Sequence, residues 1–302
     1  MSNGVPPSLV VLAAGLARRY GGCKPLAPIG PNGEAVIDLL VSDAVASGFG
    51  QIVLVLHPET GPAIRYHVSQ CWPDTVDVDF VEQRLPLGTV HAVLAARPAL
   101  DADQSFGVAN ADDVYGESAM GLLARQLETG IEEHALVAYE LASTVATDDP
   151  VTRGICQVDP SGYLTGLTER RGVTRHGLGR PLTADDAVEP SELDGDLPAS
   201  VNLWGFTPDI WEVLTTAMDG SGLDEEALVA SIARGGDMPK AEVLLPEVVA
   251  AMVTKGIGRP VRVVTTDAKL IGVTHAADLP VVSAELARQV AWGIRPSRLW
   301  LR

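Results

Sequence analysis

The sequence is poor in cysteine, in positive charge and in long hydrophobic runs, and each shortage closes off a class of protein. Three cysteines in 302 residues (Cys23, Cys71 and Cys156) are too few and too scattered for a disulfide framework or a zinc site. No apolar run approaches the roughly 20 residues that span a bilayer, so no membrane partner is expected. No basic segment followed by an apolar one opens the chain. The short LVVLAAG run meets Arg18 and Arg19 at once, which argues against a secretory leader and for the cytoplasm. Only 22 basic residues stand against 39 acidic ones, and a net charge of −17 repels a phosphate backbone. Nucleic acid is thereby excluded as a broad partner, and an anionic ligand must be received by a local basic pocket. Several signatures are missing too: the phosphate loop ending in Gly-Lys-Ser/Thr, the three-glycine dinucleotide fingerprint and the GxSxG nucleophile elbow. There is no internal repeat, low-complexity tract or obvious linker.

What is present is an ordinary globular composition, 46% hydrophobic and 20% charged, in a chain long enough to bury a full core. Strand-like apolar runs at residues 8–14, 51–58, 76–83 and 105–113 alternate with helical stretches at 35–48, 91–100 and 118–130. That rhythm predicts an α/β fold with a doubly wound, mostly parallel sheet and right-handed crossovers. From about Ala135 the texture changes to runs that suit sheet strands, two of them joined by a turn at residues 160–162. Residues 172–198 carry no periodicity and read as a long loop bordering a site. A strand at 200–206 follows, then helices from Pro208, Leu223 and Ala241, a strand at 259–266 and a helix from Ala276.

Three constellations could carry chemistry. A glycine-rich turn after the first strand holds Arg18, Arg19 and Lys24, three cations in one loop of an acidic chain. Its bare amides and cations suit a triphosphate or pyrophosphate, although a solvated basic loop would look the same. FGVANADDVYG ends a strand in Asp112 and Asp113 at the same sheet edge. Mg²⁺ takes one or two carboxylates plus substrate phosphates, which suits Asp112. Asp113 points the other way in an extended strand; it could meet a ligand hydroxyl or cap the following helix. Gly88 and Thr89 open a helix and suit an anion or a base edge. Gln83 has the donors and the acceptor needed to read a nucleobase. His91 reads as a packed histidine, Cys23 as a space-filler, and Trp204 and Trp211 as core or wall residues, Trp204 with the option of bordering a sugar.

LAAGLARRYGGCKPLAPIGPNGE, PLGTVHAVLAA, NADDVYG, VTRGICQVD, LTER, VNLWGF, KAEVLLPEVV and IGVTHAADL, in that order, resemble the nucleotidyltransferase family. It includes the sugar-1-phosphate thymidylyl- and uridylyltransferases, or nucleotide-sugar pyrophosphorylases. The resemblance runs from Leu9 to about Leu279. It implies a glycosyltransferase-A-like, Rossmann-like mixed sheet in one domain over residues 1–302, with nucleotide held by about 1–135 and sugar by about 136–302. It places Ala13, Ala14 and Gly15 along base and ribose, Arg19 and Lys24 on the phosphates, and Gln83, Gly88 and Thr89 at the base. Asp112 would hold Mg²⁺, with Glu247 as second metal carboxylate and Glu242 as the other acid nearby. Gly154, Glu169 and Asn202 would face the sugar, with Asp113 and Arg170 beside them.

Ala17 and Arg18 depart from the family's small residues, Arg170 replaces a usual lysine, and Leu270 an aromatic residue. The implied activity is transfer of a nucleoside monophosphate from a nucleoside triphosphate, UTP or dTTP by the Gln83 amide, to a sugar 1-phosphate. A phosphate monoester is already charged and needs no general base, so positioning and charge neutralisation suffice. A cyclitol phosphate or phosphorylated amino alcohol would satisfy the same chemistry, the latter near Asp185, Asp186 and Glu189. A catalytically silent nucleotide-sensing subunit is the reading from another class. The oligomeric state is open, a homo-oligomer included.

Overall fold

In the computed structural model, residues 5–15, 22–128, 132–145, 149–175, 182–272 and 279–300 are described. The chain begins with β1 (Ser8–Ala13), α1 (Val36–Ala46), β2 (Gln51–Leu56), α2 (Gly61–Cys71), β3 (Asp77–Glu82), α3 (Thr89–Ala96) and β4 (Phe106–Asn110). β1 is buried at five of its six positions, the pattern of a central parallel strand covered on both faces. It pairs in parallel with β2 on one side and β4 on the other, and β2 pairs in parallel with β3. The order β4-β1-β2-β3 therefore reverses between β1 and β4. A crevice opens at the carboxyl ends of strands at such a reversal, and this is where open α/β sheets bind ligands.

The second half comprises β5 (Asp113–Val114), α4 (Glu117–Glu128), β6 (His134–Glu140), β7 (Val151–Val158), β8 (Leu164–Arg175), β9 (Leu182–Thr183), β10 (Glu192–Leu193) and β11 (Pro198–Phe206). Then come α5 (Ile210–Gly220), α6 (Glu225–Ala233), α7 (Leu245–Lys255), β12 (Val261–Thr266), β13 (Ile271–Gly272) and α8 (Leu279–Ala291). One eleven-stranded sheet among the described residues runs β10-β9-β8-β7-β11-β4-β1-β2-β3, with β6 on β11 and β12 on β6. β11 joins the halves. It is antiparallel to β4 through Trp204–Phe206 and to β7 through Ala199 and Ser200, and its register against β6 slips between Ser200 and Trp204.

One side of the sheet packs Leu9, Val11, Leu54 and Ala109 under α1 and α4. The other packs Val10, Val53, Val108 and Trp204 under α3, α5 and α7. At roughly 25 cal/mol per Å² of buried apolar area, these two layers are the main favourable contribution to folding.

Three features differ from the sequence expectations. α2 was not foreseen. Its Gly61-Pro62 start resembles a breaker, yet proline is well tolerated in a first helical turn, and only Gly61, Ile64 and Val68 are buried. Asp38 of α1 holds α2 in place, accepting from Trp72 Nε1 at 2.7 Å and pairing with His67 Nε2 at 2.8 Å. The expected loop over 172–198 contains the end of β8 together with β9 and β10. The helix expected from Ala241 begins at Leu245, because Val243 is extended against the loop before α3.

Candidate active site

Parallel pairing sets Leu12 beside Asn110, so the Ala14-Gly15 turn lies next to Asp112. A pocket of about 780 Å³ opens there, lined by Ala13, Ala14, Gly15, Lys24, Gln83, Gly88, Thr89 and Asp112. Lys24, the first residue of a short 3-10 turn that proline stiffens, reaches Asp112 Oδ2 at 2.6 Å. This charge-assisted bond joins the first loop to the end of β4. Arg18 and Arg19, with Ala17, lie outside the described residues.

Met238, Pro239, Lys240 and Glu242 line the pocket's far wall, and the 243–245 segment that follows them is bonded to the loop before α3. Val90 N–H donates to the Val243 carbonyl, Val243 N–H to Leu87, and Leu245 N–H to Thr89 Oγ1 at 2.7 Å. Gly88 has φ of 99°, and a β-carbon there would collide with the Val243 backbone. Its glycine is thus required by the chain that crosses it. Gln83 is buried. Its Nε2 donates to the Gly88 carbonyl at 3.0 Å and lies 3.2 Å from His91 Nδ1, while His91 Nε2 is 3.4 Å from Glu225. Both donors are directed inward, which leaves the Gln83 carbonyl as the end of the amide available to a ligand.

A second pocket of about 300 Å³ adjoins the first at Asn110 and is lined by Asp113, Arg153, Gly154, Glu169, Asn202, Glu247 and Leu270 among others. Asn202 sits at the slip in β11 with φ of 61°, a left-handed conformation that asparagine tolerates better than most residues. The kink turns it into the pocket, and Trp204 Nε1 at 3.2 Å fixes its Oδ1. Asp112 lines one pocket and Asp113 the other, as alternation along an extended strand requires. Burial pushes the Asp113 carboxyl up to about 7, helped by Asp112 and opposed by Lys24 and Arg153.

Two expectations are corrected by position. Arg170 does not join the second pocket. Its guanidinium turns to the 186–190 segment, pairing with Asp186 at 2.8 Å and donating to the Pro190 and Val188 carbonyls. The Arg170 guanidinium, with the Arg171 and Val188 N–H groups, holds the Asp186 carboxyl well below the usual carboxylate range. Asp186 is therefore spent on the loop and is not free for an amino group. Trp204 is fully buried in the core and lines neither of the two pockets. Burial raises the Cys23 thiol and pushes Cys156 up to about 12, which suits inert fillers. Of the two metal carboxylates expected, Asp112 lies in the first pocket and Glu247 in the second, whereas Glu242 shares the first pocket with Asp112. Among the described residues no three acidic, histidine or cysteine groups converge as a metal cage. Arg153 was not singled out by the sequence, because its place depends on the β7–β8 register.

Residues 9–147 match the model of the MobA-like NTP transferase domain. The match covers the strand–helix units that carry most of the first pocket, but not its wall at residues 238–242. Bifunctional protein GlmU of Cupriavidus taiwanensis is 28% identical over 171 residues, covering 55% of this chain and 34% of that protein. The chain thus spans about a third of that relative's length. An inositol-1-phosphate CTP transferase structure from T. maritima shares the fold at a TM-score of 0.64 and 14% identity, covering 97% of this chain and 99% of that one. A UDP-glucose pyrophosphorylase complexed with UDP-glucose aligns at a TM-score of 0.62 and 14% identity, covering 94% and 100%. The nucleotidyltransferase resemblance of the sequence, and the mixed, mostly parallel sheet it implied, both hold. Among the described residues no helix is long and apolar enough to cross a membrane.

Proposed function

We propose that the protein transfers a nucleoside monophosphate from a nucleoside triphosphate to a phosphorylated sugar or sugar-like alcohol, releasing pyrophosphate. One observation carries this reading. Two pockets of unequal size meet at a strand end where adjacent carboxylates divide between them, with Lys24 held on Asp112. The larger pocket suits a nucleotide, and the smaller suits a compact polyol.

In the proposed reaction the acceptor phosphate oxygen bonds to the α-phosphorus while the bond to the β-phosphate breaks. Such transfers depend on alignment and charge neutralisation, which positioned cations and backbone amides supply. Lys24 neutralises the phosphates; the Gly15 turn allows close approach, and Arg19 is proposed to join it. Asn202, Gly154 and Glu169 orient the acceptor hydroxyls. Asp112 suits Mg²⁺: a half-exposed hard oxygen donor at a strand end, already facing a cation in the Lys24 ammonium. Bound there, with Glu242 or Glu247 as a second carboxylate, the ion would offset phosphate charge. The free Gln83 carbonyl favours a base presenting an N–H, as uracil and thymine do, so UTP or dTTP is the proposed donor.

A second reading keeps the reaction but takes a cyclitol phosphate. The near-complete overlap with an inositol-1-phosphate CTP transferase supports it, and the exocyclic amine of cytosine would also meet Gln83. Three free cysteines suit a reducing cytoplasm. Pyrophosphate release over a grid of UTP, dTTP, CTP, ATP and GTP against hexose 1-phosphates and inositol 1-phosphate tests all of this. Release should require one triphosphate and one phosphorylated acceptor together. Tight nucleotide binding with no release for any pair would contradict it.

A further inference from the structure

β7 and β8 set two arginines directly opposite one another, Arg153 and Arg170. Like charges across a ladder repel, and the two are treated differently. Arg170 is neutralised by Asp186 and satisfied by two carbonyls, as described above. Arg153 Nη1 donates to the Thr152 carbonyl and Nη2 to the Thr144 carbonyl, each at 2.7 Å. It has no ion-pair partner among the described residues, and its Nε is buried with no hydrogen-bond partner. Burial pulls its pKa down, while Asp113, Tyr115 and Asp112 oppose that pull from further away.

A cation withdrawn from water with an orphan donor is costly unless an anion completes it. Among the described residues, the pocket it lines holds Asp113, Glu169 and Glu247 as its other charged side chains, and no second cation. A phosphate monoester entering that pocket would find neutral groups such as Thr152, Ser200 and Asn202, three carboxylates, and one guanidinium, that of Arg153. Lys24 cannot serve instead, because it lines the neighbouring pocket and is bound to Asp112.

We infer that Arg153, and not the Arg170 that the resemblance placed beside the sugar, is the receptor for the acceptor's phosphate. This rests on the transferase reading and adds to it the residue that makes the smaller pocket select phosphorylated acceptors. Arg153 and Lys24 then stand on opposite sides of the Asp112–Asp113 pair, one for the incoming phosphate and one for the triphosphate.

Titration calorimetry on wild type, R153Q and R153K tests the assignment. The probes are glucose 1-phosphate, inositol 1-phosphate, unphosphorylated glucose and inositol, UTP and CTP. The ester that wild type binds should bind R153Q about 10- to 100-fold more weakly, the loss expected for one charge-assisted contact. Affinity for the triphosphate and for the unphosphorylated alcohol should change by less than about twofold. R153K, which keeps the charge but loses the fork, should fall between, and this separates a lost anion contact from a misfolded pocket. Equal ester affinity in wild type and R153Q would overturn the assignment alone. Wild type that binds triphosphate but neither ester would overturn the transferase reading beneath it.

Discussion

The two pockets are built by opposite strategies. The proposed nucleotide pocket arises mostly from consecutive strand–helix units, closed by residues 238–242, and its Lys24 and Asp112 are already joined at 2.6 Å. The acceptor pocket is assembled from β7, β8, β11 and the start of α7, segments far apart in sequence. Its Arg153 has no ion-pair partner among the described residues. On the proposed reading, the protein brings its own counter-charge to the triphosphate, whereas the acceptor's phosphate completes the charge balance of the smaller pocket. Hydrogen bonds from 87–90 to 243–245 couple the two pockets mechanically.

The largest effect should come from breaking the prepared side. Asp112→Asn keeps the shape but loses the carboxylate that meets Lys24, and it should lower kcat about 100- to 1000-fold. Triphosphate affinity measured by calorimetry should change far less. A kcat within threefold of wild type would remove Asp112 from the chemistry.

The seam between the pockets should be nearly as sensitive. Gly88→Ala places a methyl against the Val243 backbone at a left-handed φ, a strain of about 1–3 kcal/mol before any clash. A clear fall in Tm, with KM raised for both substrates, is expected by thermal melts and steady-state kinetics. An unchanged Tm would show that the 243–245 segment yields easily.

A pH effect should arise far from either pocket. His134, fully buried at the foot of β6, accepts from Thr207 N–H at 3.2 Å, and burial lowers its pKa from 6.5 to about 4, with Asp209 opposing. The unfolded chain therefore takes up this proton first. The stabilising contribution is complete above pH 6.5 and is lost as pH falls towards 4. Tm measured across that window should fall less steeply in His134→Asn than in wild type.

The smallest catalytic effect is expected from Arg170→Gln. It should lower Tm by releasing the 186–190 segment but leave the KM for triphosphate unchanged, because Arg170 faces away from both pockets.

The legibility of the sequence follows the same division. β1, β2 and β4 announce themselves as apolar runs and β3 as an alternating one, and the residues that follow the strands, Gly15, Lys24 and Asp112, are local to strand ends. Gln83 was legible as a candidate base reader, but the inward use of its amide depends on a contact with Gly88 that no spacing reveals. In the second half, Asn202 was marked by resemblance, whereas its kinked backbone comes from β11 switching partners. Arg170 and Arg153 show the limit best. Which of two arginines enters the pocket is decided by Asp186, sixteen residues from Arg170, and by antiparallel register. α2 was missed because few of its positions are apolar and its anchor is Asp38, a residue of another helix.

The central claim is that the bond broken lies between the α- and β-phosphates. Supplying the preferred triphosphate once labelled at the α-phosphorus and once at the γ-phosphorus, with the phosphorylated acceptor and Mg²⁺, tests it directly. The account predicts α-label in the acceptor product and γ-label in pyrophosphate, both lost in Asp112→Asn. Transfer of the γ-label to the acceptor, or release of the α-label as free nucleoside monophosphate, would contradict it.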